Sequence, residues 1–329
     1  MAVNSIQESR LGINRVLTNL AQGVVNSEFK LRLIFPLAET TEYGGQIIEF
    51  DDTDFEEYED ARADDAPYPE VQDSYSGRPF VLDTRGLSYR VPDKRRTVMD
   101  ALRINWGKRA TQKLTNAGGL KHEIQCAQIA TDINRYAPSN RLSMVSGSQL
   151  NDASVDPGTI IRTGKARVSE TSGRDPNVWV MGRDVFDILI EKPQIKEQIK
   201  YTSQDSITAE MLAAVYGFER VVVCEAQKKT AAGRRRVWGK DMLFCYTNPA
   251  GLTGDRIPFR LNDDINIVTP SFGYTYVYTG HPFLYNSYYD VDRGATVYKM
   301  DFDRQVVMTG VDKTSGLSIS GYLVKNAVA

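Results

Sequence analysis

Residues 93–136 are the longest segment with sustained helical patterning, and they read DKRRTVMDALRINWGKRATQKLTNAGGLKHEIQCAQIATDINRY. Asp93 follows Pro92 and is suited to cap the first turn of a helix. Paired glycines within residues 116–119 each cost about 1 kcal/mol inside a helix, so we predict one long kinked helix or two helices in series. Apolar residues recur with the three-to-four spacing of a helix that buries one face: Val98, Leu102, Trp106, Ala110, Leu114, Leu120, Ile124, Ala127, Ala130, Ile133 and Ala137.

The charge, apolar runs and cysteines of the chain limit which class of protein it belongs to. The 329 residues carry a formal net charge of −2, so no global electrostatic attraction to nucleic acid or membrane is expected. No apolar run approaches the roughly 18 residues of a membrane span, and the N-terminus lacks the apolar segment of a signal peptide. Cys126, Cys224 and Cys245 are odd in number and lack CxxC spacing, which predicts reduced, buried thiols in a cytosolic protein.

The N-terminal part of the chain predicts one helix and one strand. Residues 5–25 carry apolar side chains at helical spacing among polar ones, which indicates an amphipathic helix that packs on protein. Residues 30–34 alternate between basic and apolar side chains, which predicts a strand.

Residues 41–91 differ from the rest of the chain because acidic side chains crowd into them. Between Glu49 and Asp73 there are twelve acidic residues and one base, Arg62. Strand-like pieces flank the acidic run, at residues 46–50 before it and at residues 80–82 and 87–91 after it. We therefore predict a long protruding hairpin with an acidic tip, whose arms of ~15–20 residues reach some 50–65 Å.

Such a two-stranded ribbon is barely stable alone in water, so the hairpin needs a neighbour to lie on, which indicates oligomerisation. A solvated, partly disordered insertion is the alternative, because a self-repelling run cannot form a core. Calcium binding is disfavoured, since the acidic spacing does not match that of an EF-hand loop.

From residue 177 onward the sequence predicts short alternating elements. A strand at 178–181 leads into a helix that Pro193 ends, and Thr208 caps a second helix at 209–216 that stops at Gly217. Further strands are predicted at residues 220–224, 242–246, 274–278, 295–302, 305–310 and 318–324. A loop rich in Lys, Arg and Gly is predicted at 228–236, between the first two of these strands. This order is typical of an α/β or α+β protein.

Several segments in this order resemble a known family. They are LKHEIQCA at 120–127, DPNVWVMG at 175–182, ITAEMLAAVYGFERVVV at 207–223, VWGKD at 237–241 and LFCY at 243–246. Together with the N-terminal arm, the acidic loop and the long helix, they resemble the major capsid proteins of tailed bacteriophages with the Hong Kong 97-type fold.

The resemblance implies a mixed α+β fold with a long spine helix, an extended β-hairpin loop and an axial domain. It implies five segments: an N-terminal arm at 1–40, the extended loop at 41–91, the first part of the spine-helix (peripheral) domain at 92–172, the axial domain at 173–272, and the returning strands of the peripheral domain at 273–329.

The function implied by the resemblance is mechanical. The chain is expected to self-assemble, as hexamers and pentamers, into the icosahedral shell that encloses the double-stranded DNA of a tailed phage. Scaffolding and portal proteins are the implied partners, with a decoration protein as a further candidate and weak, non-specific contact with packaged DNA. The implied location is the virion capsid, and the host cytoplasm during assembly. The alternatives are an encapsulin-type shell that encloses enzymes and an oligomeric α/β enzyme.

No catalytic, cofactor-binding or metal-binding residue and no membrane contact is predicted, so the chain is not expected to be an enzyme. We expect assembly contacts from acidic loop residues and from basic residues elsewhere: Asp51, Asp52, Asp54, Glu56, Glu57, Arg95, Arg96, Arg103, Arg234, Arg235 and Arg236. Some family members cross-link a lysine of the extended loop to a neighbour's asparagine. No lysine lies between Lys30 and Lys94 here, so we expect no such cross-link.

Three further patterns favour ordinary structural roles. Residues 158–166 resemble a P-loop, but one residue too many separates the glycines and Ala166 lacks the hydroxyl that binds magnesium. His122 and His281 stand in no recognisable spacing to a nucleophile and are expected to be surface or hydrogen-bonded histidines. The basic residues of 228–236 suit nucleic-acid phosphate, although an exposed loop with solvated charge is the preferred interpretation.

Overall fold

The computed structural model describes residues 14–23, 28–50, 61, 75–100, 105–199, 207–248, 259–260, 271–312 and 315–329. The helices in these ranges are α1 (Arg15–Gly23), α2 (Asp93–Asp100), α3 (Trp106–Ala130), α4 (Pro157–Ser172), α5 (Arg183–Glu191), α6 (Pro193–Ile199) and α7 (Ala209–Tyr216). The first ten strands are β1 (Leu37–Thr40), β2 (Gly44–Phe50), β3 (Tyr75–Val81), β4 (Gly86–Pro92), β5 (Arg141–Ser143), β6 (Val178–Gly182), β7 (Arg220–Cys224), β8 (Gln227–Thr230), β9 (Gly233–Arg236) and β10 (Met242–Cys245). The others are β11 (Phe259–Arg260), β12 (Gly273–Tyr278), β13 (Phe283–Leu284), β14 (Tyr288–Asp290), β15 (Ala295–Asp301), β16 (Arg304–Met308) and β17 (Gly321–Lys325).

The long helix α3 is continuous through its glycines, so the predicted break at residues 116–119 was wrong. Both glycines are buried, because neighbouring side chains lie where a side chain would stand. A Cβ atom on Gly118 would lie 2.8 Å from Cε of Met300, and one on Gly119 would lie 2.9 Å from Cε2 of Phe29. The close packing of α3 against these side chains offsets the helical cost of glycine.

The interruption of the helical pattern lies earlier, before Trp106. Asn105 caps α3 there, because its side-chain Oδ1 accepts a hydrogen bond from the backbone N–H of Lys108 at 3.0 Å. The helix α2 ends at Asp100 in the described part of the chain, and residues 101–104 lie outside it. The two-helix form of the prediction was therefore correct, with its boundary misplaced.

The N-terminal arm contributes one helix and one 3₁₀ turn. The helix α1 falls within the predicted 5–25, and residues 1–13 lie outside the described ranges. The predicted strand at 30–34 was wrong, because Leu31–Leu33 form a 3₁₀ turn. The carboxylate of Glu123 in α3 accepts hydrogen bonds from the backbone N–H groups of Lys30 and Leu31, at 3.1 and 3.2 Å. This long-range contact, with burial of Leu31, favours the turn over a strand.

A five-stranded sheet in the order β5-β17-β10-β6-β7 forms the centre of the chain. Strand β6 is buried along its whole length, as expected for a strand covered on both faces. Trp179 packs with Phe244 and the helices on one face, whereas Val180 packs with Leu243 and the end of α3 on the other. Each large apolar side chain fully buried in this way contributes about 1.5–3 kcal/mol to the free energy of unfolding.

The strand pairings in this sheet cross the segment boundaries expected from the sequence. Strand β17, expected among the returning strands, pairs antiparallel with β10 and parallel with β5. Helix α4, expected in the first peripheral segment, packs on the same sheet at β10 and β17. Residues far apart in sequence therefore build the central sheet together, and the division into segments stays a prediction.

Two further sheets contact the hairpin of β2 and β3 and the long helix α3. One has the order β11-β1-β12-β16, and in the other β15 pairs with β4 on one edge and with β13 and β14 on the opposite edge. Helix α3 packs against β4, β15 and β16. The predicted strand at 87–91 is β4, and it pairs with β15 rather than with the hairpin.

Helix α4 contains the residues that resemble a P-loop. Asp156 caps it through hydrogen bonds from Gly158 and Thr159 N–H, both at 3.0 Å. Lys165, the lysine of the pattern, donates to the carbonyl oxygens of Tyr216 and Gly217 at 2.9 and 3.0 Å, where α7 ends. A continuous helix cannot cradle a phosphate as a P-loop does, which confirms that the pattern is structural.

Candidate assembly surfaces

Strands β2 and β3 form the predicted hairpin as far as the structure describes it. They pair antiparallel from Gly44 opposite Val81 to Phe50 opposite Tyr75. The loop that joins them belongs to residues 51–74, which lie outside the described residues apart from Ala61.

The root of this hairpin is fixed to the sheet that contains β12 and β16. Phe80 is buried and its ring stacks on that of Tyr276, with centroids 4.8 Å apart. The backbone N–H of Val81 donates to Oε1 of Gln305 at 3.0 Å. A Cβ atom on Gly45 would lie 2.9 Å from the Phe80 ring, so glycine is needed for this contact. The base of the hairpin that leads to the acidic segment is thus anchored.

The acidic members of the predicted contact set cannot be placed on this surface. They and Arg103 lie outside the described residues: Asp51, Asp52, Asp54, Glu56 and Glu57. Their part in assembly stays a prediction.

The first turn of α2 exposes the next two predicted residues, Arg95 and Arg96. Nη1 of Arg96 lies 3.4 Å from Oγ1 of Thr296 on β15. Asp93, at the start of the helix, accepts a hydrogen bond from the hydroxyl of the exposed Tyr289 at 2.5 Å. This surface is mixed in character and is partly engaged with its own chain.

Residues 227–236 form a second, basic hairpin, where a loop was predicted. Strands β8 and β9 pair only with each other, so this ribbon is a separate two-stranded sheet. Gly233 has φ of +115°, a value that glycine adopts readily, and Oγ1 of Thr230 donates to its carbonyl at 2.8 Å. These turn interactions close a regular ribbon, which the run of charges concealed in the sequence.

Like charges face each other across this basic hairpin. Lys228 lies opposite Arg235, and Lys229 lies opposite Arg234. Like charges directly opposite in a sheet are destabilising. Arg236, at the root of the hairpin, is compensated by an ion pair with Asp184 at 3.1 Å. The structure thus separates Arg234, Arg235 and Arg236, on this ribbon, from Arg95 and Arg96, on α2.

A buried polar cluster lies under the spine helix, and sequence reasoning missed it. Glu123 is 1% exposed, and burial raises the pKa of its carboxyl to about 7, although hydrogen bonds from the Leu31 and Lys30 N–H groups act in the opposite direction. Burial lowers the pKa of the Arg304 guanidinium to about 10, and Nε of Arg304 donates to Oε1 of Gln125 at 3.0 Å. The cluster joins the arm, the spine and β16.

His122 and Cys126 lie in the same cluster, so the statement that neither histidine is spaced to a nucleophile was wrong. Their four-residue spacing places both on one face of α3, with Nε2 and Sγ 3.3 Å apart. Burial raises the pKa of the thiol and lowers that of the imidazole, so both groups are neutral. A neutral buried thiol is a poor nucleophile. His122 also bonds Oγ1 of Thr275 at 2.9 Å, as expected for a hydrogen-bonded histidine.

His281 has a structural role too, because its Nδ1 accepts a hydrogen bond from the Asp303 N–H at 2.8 Å. Within the described ranges, no group of three or more His, Cys, Asp or Glu side chains is placed to hold a metal ion. Among the same residues, no helix has both the length and the apolar character to cross a membrane.

Comparisons with known proteins identify the fold that carries these surfaces. No family model matches the chain. It is 29% identical over 272 residues to the major capsid protein of Burkholderia phage BcepMu, covering 82% of this chain and 85% of that protein. A phage-related protein from Bordetella bronchiseptica RB50 is 27% identical, with a TM-score of 0.75 over 96% of this chain and 97% of the other.

The mature capsid of bacteriophage PhiM1 superposes with a TM-score of 0.51 at 14% identity, over 92% of this chain and 87% of the other. The chain is similar to phage major capsid proteins, and its fold is of the Hong Kong 97 type. The matches confirm the predicted fold class and function. They give no support to the encapsulin or enzyme alternatives.

Self-association follows for this capsid protein, because capsid proteins assemble into shells, and the phage capsid is its location. The relatives are structural proteins of capsids. The anchored hairpin root, the exposed start of α2 and the basic hairpin are therefore surfaces to be tested for contacts between copies.

Proposed function

We propose that this capsid protein self-assembles into the icosahedral shell that encloses the double-stranded DNA genome of a tailed phage. The observation that carries the proposal is the likeness to the BcepMu major capsid protein over 82% of the chain. Hexamers and pentamers of the chain form the shell, and its work is mechanical, without turnover or cofactor.

The extended hairpin supports this function physically. The two-stranded ribbon of β2 and β3 gains stability by lying on a neighbour. Its root is fixed by Phe80 and Gln305, so the direction in which it leaves the body is set before assembly. A heterologous contact of this kind, repeated around a ring, closes a capsomer.

The remaining parts of the proposal concern location and partners. Assembly takes place in the host cytoplasm, with scaffolding and portal proteins as partners and a decoration protein as a further candidate. Packaged DNA touches the shell weakly and non-specifically, which suits the formal net charge of −2. The chain is divided into five segments. They are the N-terminal arm at 1–40, the extended loop at 41–91, the first part of the peripheral domain at 92–172, the axial domain at 173–272 and the returning strands of the peripheral domain at 273–329.

Nuclease protection tests the function directly. Particles that contain this chain are purified, treated with nuclease and then opened, and their nucleic acid and protein contents are measured. Protected double-stranded DNA of one genome length is expected. Particles that hold a folded enzyme and no DNA contradict the proposal and favour a nanocompartment.

A further inference from the structure

The basic hairpin of β8 and β9 carries more positive charge than its own chain compensates. Lys228, Lys229, Arg234 and Arg235 have no ion-pair partner among the described residues, whereas Arg236 pairs with Asp184. Because the first four form two like-charged cross-strand pairs, the ribbon is destabilised by its own sequence. An anionic partner that lies on the ribbon would remove this repulsion.

The same chain contains a segment of the opposite charge. Residues 49–73 carry twelve acidic residues and one basic residue. The remaining chain therefore carries 39 basic and 30 acidic residues, a net charge of +9. The near-neutral total thus conceals one strongly acidic segment and a basic remainder in which the hairpin is a concentrated patch.

We propose that the basic hairpin, residues 227–236, binds the acidic segment, residues 49–73, of a second copy of this chain. The proposal rests on the proposed function, since it names one contact by which copies associate. Each copy offers one basic hairpin and one acidic segment, so the two are present in equal numbers. Such a heterologous contact repeats from copy to copy and closes a ring.

The geometry of the ribbon favours an acidic chain over duplex DNA. Successive side chains of a strand point to opposite faces, so the pair Lys228 and Arg235 lies on one face and the pair Lys229 and Arg234 on the other. A stiff duplex, with a persistence length of about 50 nm, meets one face at a time. A flexible single polypeptide can bend around the edge of the ribbon and so reach both pairs.

The first test measures binding of a fluorescent peptide of residues 49–73 to the full-length chain by anisotropy. The variant R234E/R235E is expected to bind at least about tenfold more weakly, since several exposed ion pairs are lost or reversed. The matched control K108E/R109E makes the same charge change at two exposed residues of α3 and is expected to bind as the unaltered chain does. Equal binding by R234E/R235E and the unaltered chain overturns the proposal.

A competition arm separates the two polyanions. A short double-stranded DNA is added to the bound peptide at matched ionic strength. If the peptide stays bound to the chain when the DNA phosphate groups equal the peptide carboxylate groups in concentration, the acidic segment is supported as the occupant of the basic hairpin. Displacement of the peptide well below that concentration overturns it in favour of DNA.

A charge exchange tests whether the partner is a second copy. One chain carries R234E/R235E, and another carries D51K/D52K/D54K, and each is checked for native circular dichroism. Alone, each is expected to associate at least about tenfold more weakly by sedimentation, and an equimolar mixture is expected to regain association. Failure of the mixture to do so overturns pairing between copies. An unaltered chain that stays monomeric yet binds the peptide through the hairpin contradicts the proposed function instead, so the two failures are distinguishable.

Discussion

Replacement of Glu123 by glutamine is the most informative perturbation of the spine. The carboxylate is 1% exposed and accepts hydrogen bonds from the N–H groups of Lys30 and Leu31, which hold the arm against α3. Glutamine keeps one acceptor oxygen at this position but cannot ionise. The comparison therefore isolates the contribution of the buried charge to the free energy of unfolding.

The magnitude follows from the raised pKa. Burial moves the pKa of Glu123 from its ordinary 4.5 to about 7, so between these values the folded chain binds a proton that the unfolded chain does not. Folded-state stability from this group is then full below about pH 4.5 and is lost as the pH rises through about 7. At about 1.4 kcal/mol per pKa unit, the loss amounts to roughly 3 kcal/mol.

Urea unfolding of the unassembled chain, followed by tryptophan fluorescence from pH 5 to 8.5, measures this loss. The free energy of unfolding of the unaltered chain is expected to fall relative to that of E123Q by roughly 2.5 kcal/mol across this range, because part of the full loss occurs below pH 5. His122 and His281, whose pKa values burial lowers, act in the opposite direction but are common to both chains. The variant E170Q, changed at an exposed glutamate, serves as the control and should follow the unaltered chain. Parallel pH profiles for the unaltered chain and E123Q would show that Glu123 does not have a raised pKa in the folded chain.

Three further predictions concern the core and the loop. The variant G164A is expected to be about 1–3 kcal/mol less stable than G107A in thermal or urea unfolding. The reason is that a Cβ atom on Gly164 would lie 2.6 Å from the Phe244 ring, whereas one on Gly107 would meet ordinary contacts. Equal stabilities of the two variants would contradict this difference in packing. Deletion of residues 51–73 should leave a soluble, folded chain that forms no shells in electron micrographs, and intact particles from the deletion would show that the loop is dispensable. Boiled shells should run as a single band in SDS gels, since residues 31–93 contain no lysine for a loop cross-link, and a covalent ladder would disprove this.

Local signals allowed parts of the fold to be predicted to the residue. Helix α7 runs from Ala209 to Tyr216 as expected, because Thr208 caps it through a hydrogen bond from Met211 N–H and Gly217 ends it with φ of +66°. Both signals lie within a few residues of the element that they bound. The hairpin of β2 and β3 followed likewise from alternation on either side of the acidic run.

The errors arose where distant residues decide the local structure. The turn at Leu31–Leu33 depends on Glu123, and the uninterrupted α3 depends on Met300 and Phe29 packing against its glycines. The place of β17 between β10 and β5 likewise depends on long-range pairing. None of these contacts has a signal in a short window of sequence.

The candidate contacts were visible in composition, but their geometry was not. The charges of residues 234–236 stood out in the sequence, whereas the cross-strand pairing of Arg234 with Lys229 appears only in the structure. The pairing of His122 with Cys126 was accessible from their spacing on a helix and was overlooked.

Negative-stain electron microscopy of the chain expressed alone, with light scattering on the same sample, is the sharpest test of self-assembly. Closed shells, sheets, tubes or capsomer rings built from this chain are expected. A monomer or a small closed oligomer that persists at high concentration, with scaffolding protein supplied, would contradict it.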